Sequence, residues 1–210
     1  MRIAVLGAAG GVGRELLQQA IARGWDVTGQ TRQADRLADF AGQIRIVAGA
    51  PTDAAVLRDL VRGQDAVVFA LGIDRLGATT LFSQSTRALI AAMQAEGVGR
   101  LVAVTGVGAG ETRGHGGFFY DRILFPLFTR HRYADKDRQE ALIAASGLDW
   151  TIVRPAPFAR SAPPGPVEAH VALAPGTVLR RVTRAEVAAF ILEELETGRF
   201  RGQRPFIGHP

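Results

Sequence analysis

Apolar residues in this chain fall into short blocks that switch between two repeats. The first block, Ile3-Ala4-Val5-Leu6, is continuous, as in a strand buried on both faces. Leu16, Leu17, Ala20 and Ile21 then recur at helical spacing up to a stop at Gly24, and a second strand-like run reaches Thr31-Arg32. The exchange continues along the chain. A short polar helix is expected over residues 34–40, a strand at 44–47, and a helix opened by Thr52 or Asp53 that carries Val56, Leu57, Leu60 and Val61. Residues 65–70 read as a buried strand ending at Leu71-Gly72. A long helix spans about 79–96, with Leu81, Leu89, Ile90 and Met93 at helical spacing and Gly97 closing it. Leu101-Val102-Ala103-Val104-Thr105 is the next strand, and residues 106–117 form a glycine-rich loop.

The second half is less regular. Residues 118–132 are aromatic and apolar, broken by Pro126, and flow into a helix over about 134–145. A strand at 150–153 delivers the chain to Arg154-Pro155-Ala156-Pro157, and the proline-rich residues 162–166 read as a loop. Thr183 caps a last helix at 185–195, and Pro205-Phe206-Ile207 is expected to add a short edge strand. Strands alternating with helices imply an α/β fold, a parallel sheet with helices on both faces. No repeat or low-complexity segment interrupts it.

The join between the first strand and first helix carries the chemistry. It reads Gly7-Ala8-Ala9-Gly10-Gly11-Val12-Gly13, glycines three apart rather than the commoner Gly-x-Gly-x-x-Gly. Glycines let such a turn close tightly and let backbone N–H groups approach a pyrophosphate, towards which the helix points its positive end. Strand, glycine turn, helix and strand in this order predict a dinucleotide site.

Composition narrows the remaining possibilities. With 210 residues, 47% apolar and 21% charged, the chain fits one soluble domain with a real core. No apolar run is long enough for a membrane span, and Met1 opens directly onto the first strand, so neither an anchor nor a signal peptide is expected and a cytoplasmic location is. Zero cysteines exclude disulfides, thiolate metal sites and cysteine nucleophiles, and the four histidines lack metal-ligand spacing. The net charge of +5 is spread along the chain, without a basic helix or aromatic–basic interleaving, so no nucleic-acid partner is expected. Nearly all of the positive charge is arginine; Lys136 is the only lysine.

The end of the second strand bears on which dinucleotide binds. An acidic residue there would serve the ribose hydroxyls of NAD, whereas this chain has Arg32, with Arg36 one helical turn on. Two guanidinium groups can clamp a 2′-phosphate, so NADPH is preferred over NADH, although Asp35 could still serve a ribose.

Taken together, residues 7–13, 27–36, Gln64-Asp65-Ala66-Val67 with Leu71-Gly72, 87–105, Ala134-Asp135-Lys136-Asp137 with Glu140, and 146–155 resemble the atypical short-chain dehydrogenase/reductases. The resemblance is to the branch with the NmrA-like NAD(P)-binding proteins and the biliverdin-IXβ/flavin reductases, and it covers nearly the whole chain. It implies a single Rossmann-type, doubly wound domain over residues 1–210, with substrate-side elements from about 106–135 and 155–180. It also implies that Gly7, Ala9, Gly10, Gly11, Val12 and Gly13 hold the pyrophosphate, and that Arg32 and Arg36 lie around the adenosine phosphate. Ala70, Leu71 and Gly72 would run beneath the cofactor, with Thr105, Lys136 and Pro155 near its nicotinamide end. Gly106 stands where flavin-reductase relatives place a serine, so Thr105 alone offers a hydroxyl. Ala50 stands where many relatives carry an aspartate.

The usual proton-donating pair of short-chain dehydrogenases, Tyr-x-x-x-Lys, is absent: Tyr133 is followed at the fourth place by Asp137, and Lys136 comes one residue early. Tyr133 and Lys136 still share a helix face. Tyr133, Lys136 and Thr105 are therefore the candidate catalytic residues, with Lys136 either at the nicotinamide ribose or the substrate, or else paired with Asp135 or Glu140. An acceptor that takes its proton from water needs only to be positioned, and flavins, quinones and linear tetrapyrroles are of that kind. Phe118, Phe119, Tyr120, Ile123, Leu124, Phe125, Leu127 and Phe128, with Pro155, Ala156 and Phe158, supply an apolar wall for a flat substrate, or else core or a dimer face. The expectation is an NADPH-dependent reductase, monomeric or homodimeric, acting on a small apolar or aromatic molecule. The alternative is an NADP(H)-sensing regulator of the NmrA-like type, and an epimerase or dehydratase ranks last.

Overall fold

The computed structural model describes residues 1–72, 79–106, 130–161, 163–174, 177 and 179–210, with the backbone alone at 130–133. In chain order its elements are β1 (Arg2–Leu6), α1 (Gly11–Ala22), β2 (Asp26–Thr31), 3-10 turns over Ala34–Phe40, β3 (Arg45–Ala48), α2 (Ala54–Val61), β4 (Ala66–Phe69) and α3 (Leu81–Ala95). β5 (Arg100–Val104), α4 (Arg130–Ala144), β6 (Asp149–Pro155), β7 (Glu168–His170), α5 (Arg184–Thr197) and β8 (Phe206–Gly208) follow. The strands form one sheet in the order β3-β2-β1-β4-β5-β6-β8-β7, parallel throughout except for β7 on β8.

The continuous apolar runs are explained by a core on each side of the sheet. Ile3, Val5, Val68, Val102 and Val104 face α1 and α5, where Leu16, Leu17, Val187, Ile191 and Leu192 meet them. Ala4, Leu6, Val67, Phe69, Leu101 and Ala103 face the opposite way, against Leu57, Leu60, Leu89, Met93 and Ile143 of α2, α3 and α4. A strand that must bury both faces has no polar position to alternate with. Each fully buried aliphatic side chain contributes about 1.5–3 kcal/mol, so these layers hold the sheet together.

Helix starts follow local chemistry at α2 and α5 and tertiary chemistry at α3. Asp53 caps α2 by accepting from Ala55 and Val56 N–H at 2.8 and 3.2 Å. Thr183 and Glu186 form a reciprocal capping box at α5. The expected start of α3 at residue 79 moves to Leu81, because the Thr79 hydroxyl oxygen accepts from Leu81 N–H outside the helix. Its orphan donors are met from α4: buried Asp135 accepts from Phe82 N–H at 2.9 Å and from the Ser83 hydroxyl at 2.5 Å.

One expectation is corrected. The strand anticipated at the sheet edge is β8, and it is internal, because β7 pairs antiparallel outside it with Ala169 opposite Ile207. β7 is three polar or small residues with no apolar period, so pairing, not propensity, makes it a strand. The glycine-rich loop and most of the aromatic stretch 118–132 lie outside the described residues.

Candidate dinucleotide site

The glycine turn sits at the carboxyl ends of β1 and β4. Gly7 has φ +89°, and a Cβ there would lie 3.0 Å from the Ala70 carbonyl and from Leu71 Cα. The backbone leaving β4 through Ala70, Leu71 and Gly72 therefore runs directly against the turn, and Ala70 N–H donates to Leu6 C=O at 2.9 Å. Gly10 N–H closes the turn on Gly7 C=O at 3.0 Å. A side chain at Gly13 would press on the Ala8 carbonyl at 2.6 Å and more closely still on that of Gly7, so α1 can seat on the turn only with glycine there.

This geometry fits a pyrophosphate. Gly10, the N-cap of α1, offers no side-chain acceptor, and the first turn holds no acidic residue. Gly10 and Gly11 are exposed, Ala9 is half-buried, and Val12 turns into the core. An uncapped, solvent-facing helix N-terminus behind a glycine turn presents N–H groups and a positive dipole end to an anion.

Sequence reasoning missed Gln30. Its side chain is buried, accepts from Gly7 N–H at 3.2 Å and donates to Gly49 C=O at 2.6 Å. It thereby ties the turn to the chain leaving β3. The available signal was a lone amide among the buried residues of a strand next to the turn.

Arg32, Asp35 and Arg36 are exposed just beyond β2, and neither arginine makes an ion pair with another described residue. Arg14 of α1 pins this segment: its guanidinium donates to Arg36 C=O at 2.9 Å, pairs with Asp39 and lies 5.1 Å above the Phe40 ring. The two arginines are thus presented on a fixed rim beside the turn.

At the ends of β5 and β6 the structure brings Thr105 and Lys136 together. Lys136 Nζ donates to Thr105 C=O at 2.7 Å and stands 4.6 Å over the Phe82 ring. The Thr105 hydroxyl donates to Glu140 Oε1 at 2.8 Å, and Arg154 grips the same carboxylate through Nε and Nη2 at 3.2 and 2.5 Å. Thr105 N–H is bound to Val153 C=O, and Pro155 ends β6 opposite Ile207. Gly106 has φ +149°, a backbone conformation that disfavours the serine found there in flavin-reductase relatives. The Tyr133 side chain lies outside the described residues. A cavity of about 430 Å³ is lined by Asp137, Glu140, Arg154 and Arg204 among others; it shares the Glu140–Arg154 pair with Thr105 and no residue of the glycine turn. Among the described residues no cluster of His, Asp and Glu could hold a metal ion.

Known proteins resemble the chain over nearly its whole length. The NAD(P)H-binding family model matches residues 7–197. UPF0659 protein YMR090W of Saccharomyces cerevisiae is 28% identical over 206 residues, covering 93% of this chain and 87% of its own. A Rossmann-fold NAD(P)-binding family protein from Shigella flexneri superposes with a TM-score of 0.74 at 25% identity, over 100% of this chain and 93% of that one. ChuY, an anaerobillin reductase from Escherichia coli O157:H7, superposes with a TM-score of 0.81 at 24% identity, over 100% and 98%.

Proposed function

The chain belongs to the NAD(P)H-binding family, and from that premise we propose that it is an NADPH-dependent reductase of a flat conjugated acceptor such as a flavin, a quinone or a linear tetrapyrrole. The observation that carries the reading is the engagement of Thr105. Its hydroxyl proton is directed at Glu140, which Arg154 holds from the other side, so this hydroxyl is not aimed at a substrate. An acceptor that protonates from water makes no demand on Thr105 and suits such a site.

The other residues fit roles in binding and orientation. The N–H groups of the first turn of α1, Gly11, Val12 and Gly13, which no side chain caps, would hold the pyrophosphate. Arg32 and Arg36 would hold the 2′-phosphate, which sets NADPH above NADH. When bound, the nicotinamide would supply the hydride. Lys136, held on Thr105 C=O and over Phe82, would fix the ribose end, and Pro155, Ala156 and Phe158 would border the acceptor. That ChuY is named a reductase supports the class of reaction.

The test is NADPH oxidation against a panel of FMN, quinones and biliverdin-like tetrapyrroles, with NADH in parallel. Turnover that favours NADPH supports the reductase. Asp137 standing where the dehydrogenase lysine would be favours a second reading, an NADP(H) sensor, and tight NADPH binding without turnover on any acceptor would select it.

A further inference from the structure

The first residue of α5 is an arginine that the helix itself has no use for. A cation at a helix N-terminus opposes the dipole, and this start is already stabilised by the Thr183–Glu186 capping box. Arg184 nevertheless occupies a defined place. A Cβ built on Gly11 would lie 2.5 Å from Arg184 Cδ and Nε and 3.4 Å from Cζ, so the side chain lies across the first residue of α1. Its guanidinium sits 5.1 Å over the ring of Phe158, one of the few large apolar side chains exposed among the described residues, at 39%. It makes no ion pair with another described residue.

One short ladder holds Phe158 and the residue before the α5 cap. Phe158 bridges Val182 in parallel, with Ala159 N–H donating to Val182 C=O at 2.8 Å and Val182 N–H to Pro157 C=O at 3.1 Å. The residue before the cap of α5 is thereby fixed against the chain leaving β6. An unpaired guanidinium, stacked in place and laid over an uncapped helix N-terminus, is arranged to meet an anion.

We propose that Arg184, stacked on Phe158 and laid across Gly11, binds the pyrophosphate beside the α1 N–H groups. This rests on the dinucleotide reading of the turn and adds a residue to it. The contact is to a group that NADH and NADPH share, so it carries affinity and not the choice between them. Gly11 then has a second reason to lack a side chain: it leaves the arginine its seat.

The experiment is titration of the purified full chain with NADPH and with NADH by calorimetry, for wild type, Arg184→Met, Phe158→Leu and Arg32→Ala. Methionine keeps a stem over Gly11 and removes the charge. Arg184→Met is expected to weaken both dinucleotides equally, by about tenfold, as for loss of a charge-assisted hydrogen bond. Phe158→Leu should weaken both by about threefold by freeing the guanidinium. Arg32→Ala should weaken NADPH alone. Thermal unfolding of Arg184→Met should match wild type, because the cap is untouched. Unchanged affinities, a loss confined to NADPH, or a fall in melting temperature that accompanies the loss would each overturn the proposal. A wild-type chain with no affinity for either dinucleotide would overturn the dinucleotide reading and this proposal with it.

Discussion

Replacing Glu140 by glutamine removes the negative charge that organises the end of β5 while keeping the side chain's shape. Glu140 and Arg154 are 6% and 8% exposed at their side chains, with contacts of 2.5 and 3.2 Å, and the Thr105 hydroxyl donates to the same carboxylate. Glutamine retains one accepting oxygen but leaves Arg154 as a buried cation with only the amide against it. Breaking a buried pair from one side costs about 3–5 kcal/mol, and the retained acceptor puts this change near ~3. With unfolding entropy of about 2.1 cal/mol/K per residue, a chain of 210 residues should lose about 7 °C in melting temperature. Thermal unfolding followed by circular dichroism reads this directly. The double change Glu140→Leu with Arg154→Met strands no buried charge, since the Arg204 side chain, 3.7 Å from Glu140, is 40% exposed, and it should recover most of the loss. A Glu140→Gln protein that melts within about 1 °C of wild type would refute the reasoning, since that is less than 1 kcal/mol in a chain of this size. So would a double variant whose loss equals the sum of the singles.

Four other expectations follow from the same geometry. Burial pushes the Glu186 carboxyl up, but hydrogen bonds from Thr183 N–H and hydroxyl and from His209 outweigh it and hold the group below its ordinary value of 4.5. Its stabilisation is therefore complete above that value and lost as pH falls through the lowered one; Glu186→Gln should flatten the acid limb of stability against pH, and an unchanged limb would contradict this. Gly13→Ala should abolish dinucleotide binding or fold, whereas Gly99→Ala, where a Cβ meets nothing within 4 Å, should melt like wild type. Arg32→Ala should raise the KM for NADPH by about tenfold with NADH unaffected, as for one lost charge-assisted contact; equal effects on both would remove Arg32 from the phosphate. Lys136→Met should lower NADPH affinity and turnover together, and unchanged values of both would leave Lys136 a packing residue.

Most of the fold was legible because each apolar run is buried on two faces and each helix repeats at its own period. What escaped was set by tertiary contact. β7 becomes a strand only by pairing with β8, and α3 is capped by Asp135, more than fifty residues away in the chain. At the site, the glycine turn announced itself because its conformation forbids side chains at named positions. Gln30 did not, since a glutamine in a strand signals nothing until Gly7 and Gly49 are seen at either end of its amide. Lys136 stood out as the only lysine, and its contact with the Thr105 carbonyl was invisible without the fold.

That scarcity makes the protein chemically addressable. Lys136 carries the only side-chain amine in the sequence. An amine-selective acylating reagent thus meets one lysine, on α4, whose amine rests on the Thr105 carbonyl beyond β5. Its extent of modification, read by peptide mass with and without NADPH, is an occupancy gauge that needs no engineered label.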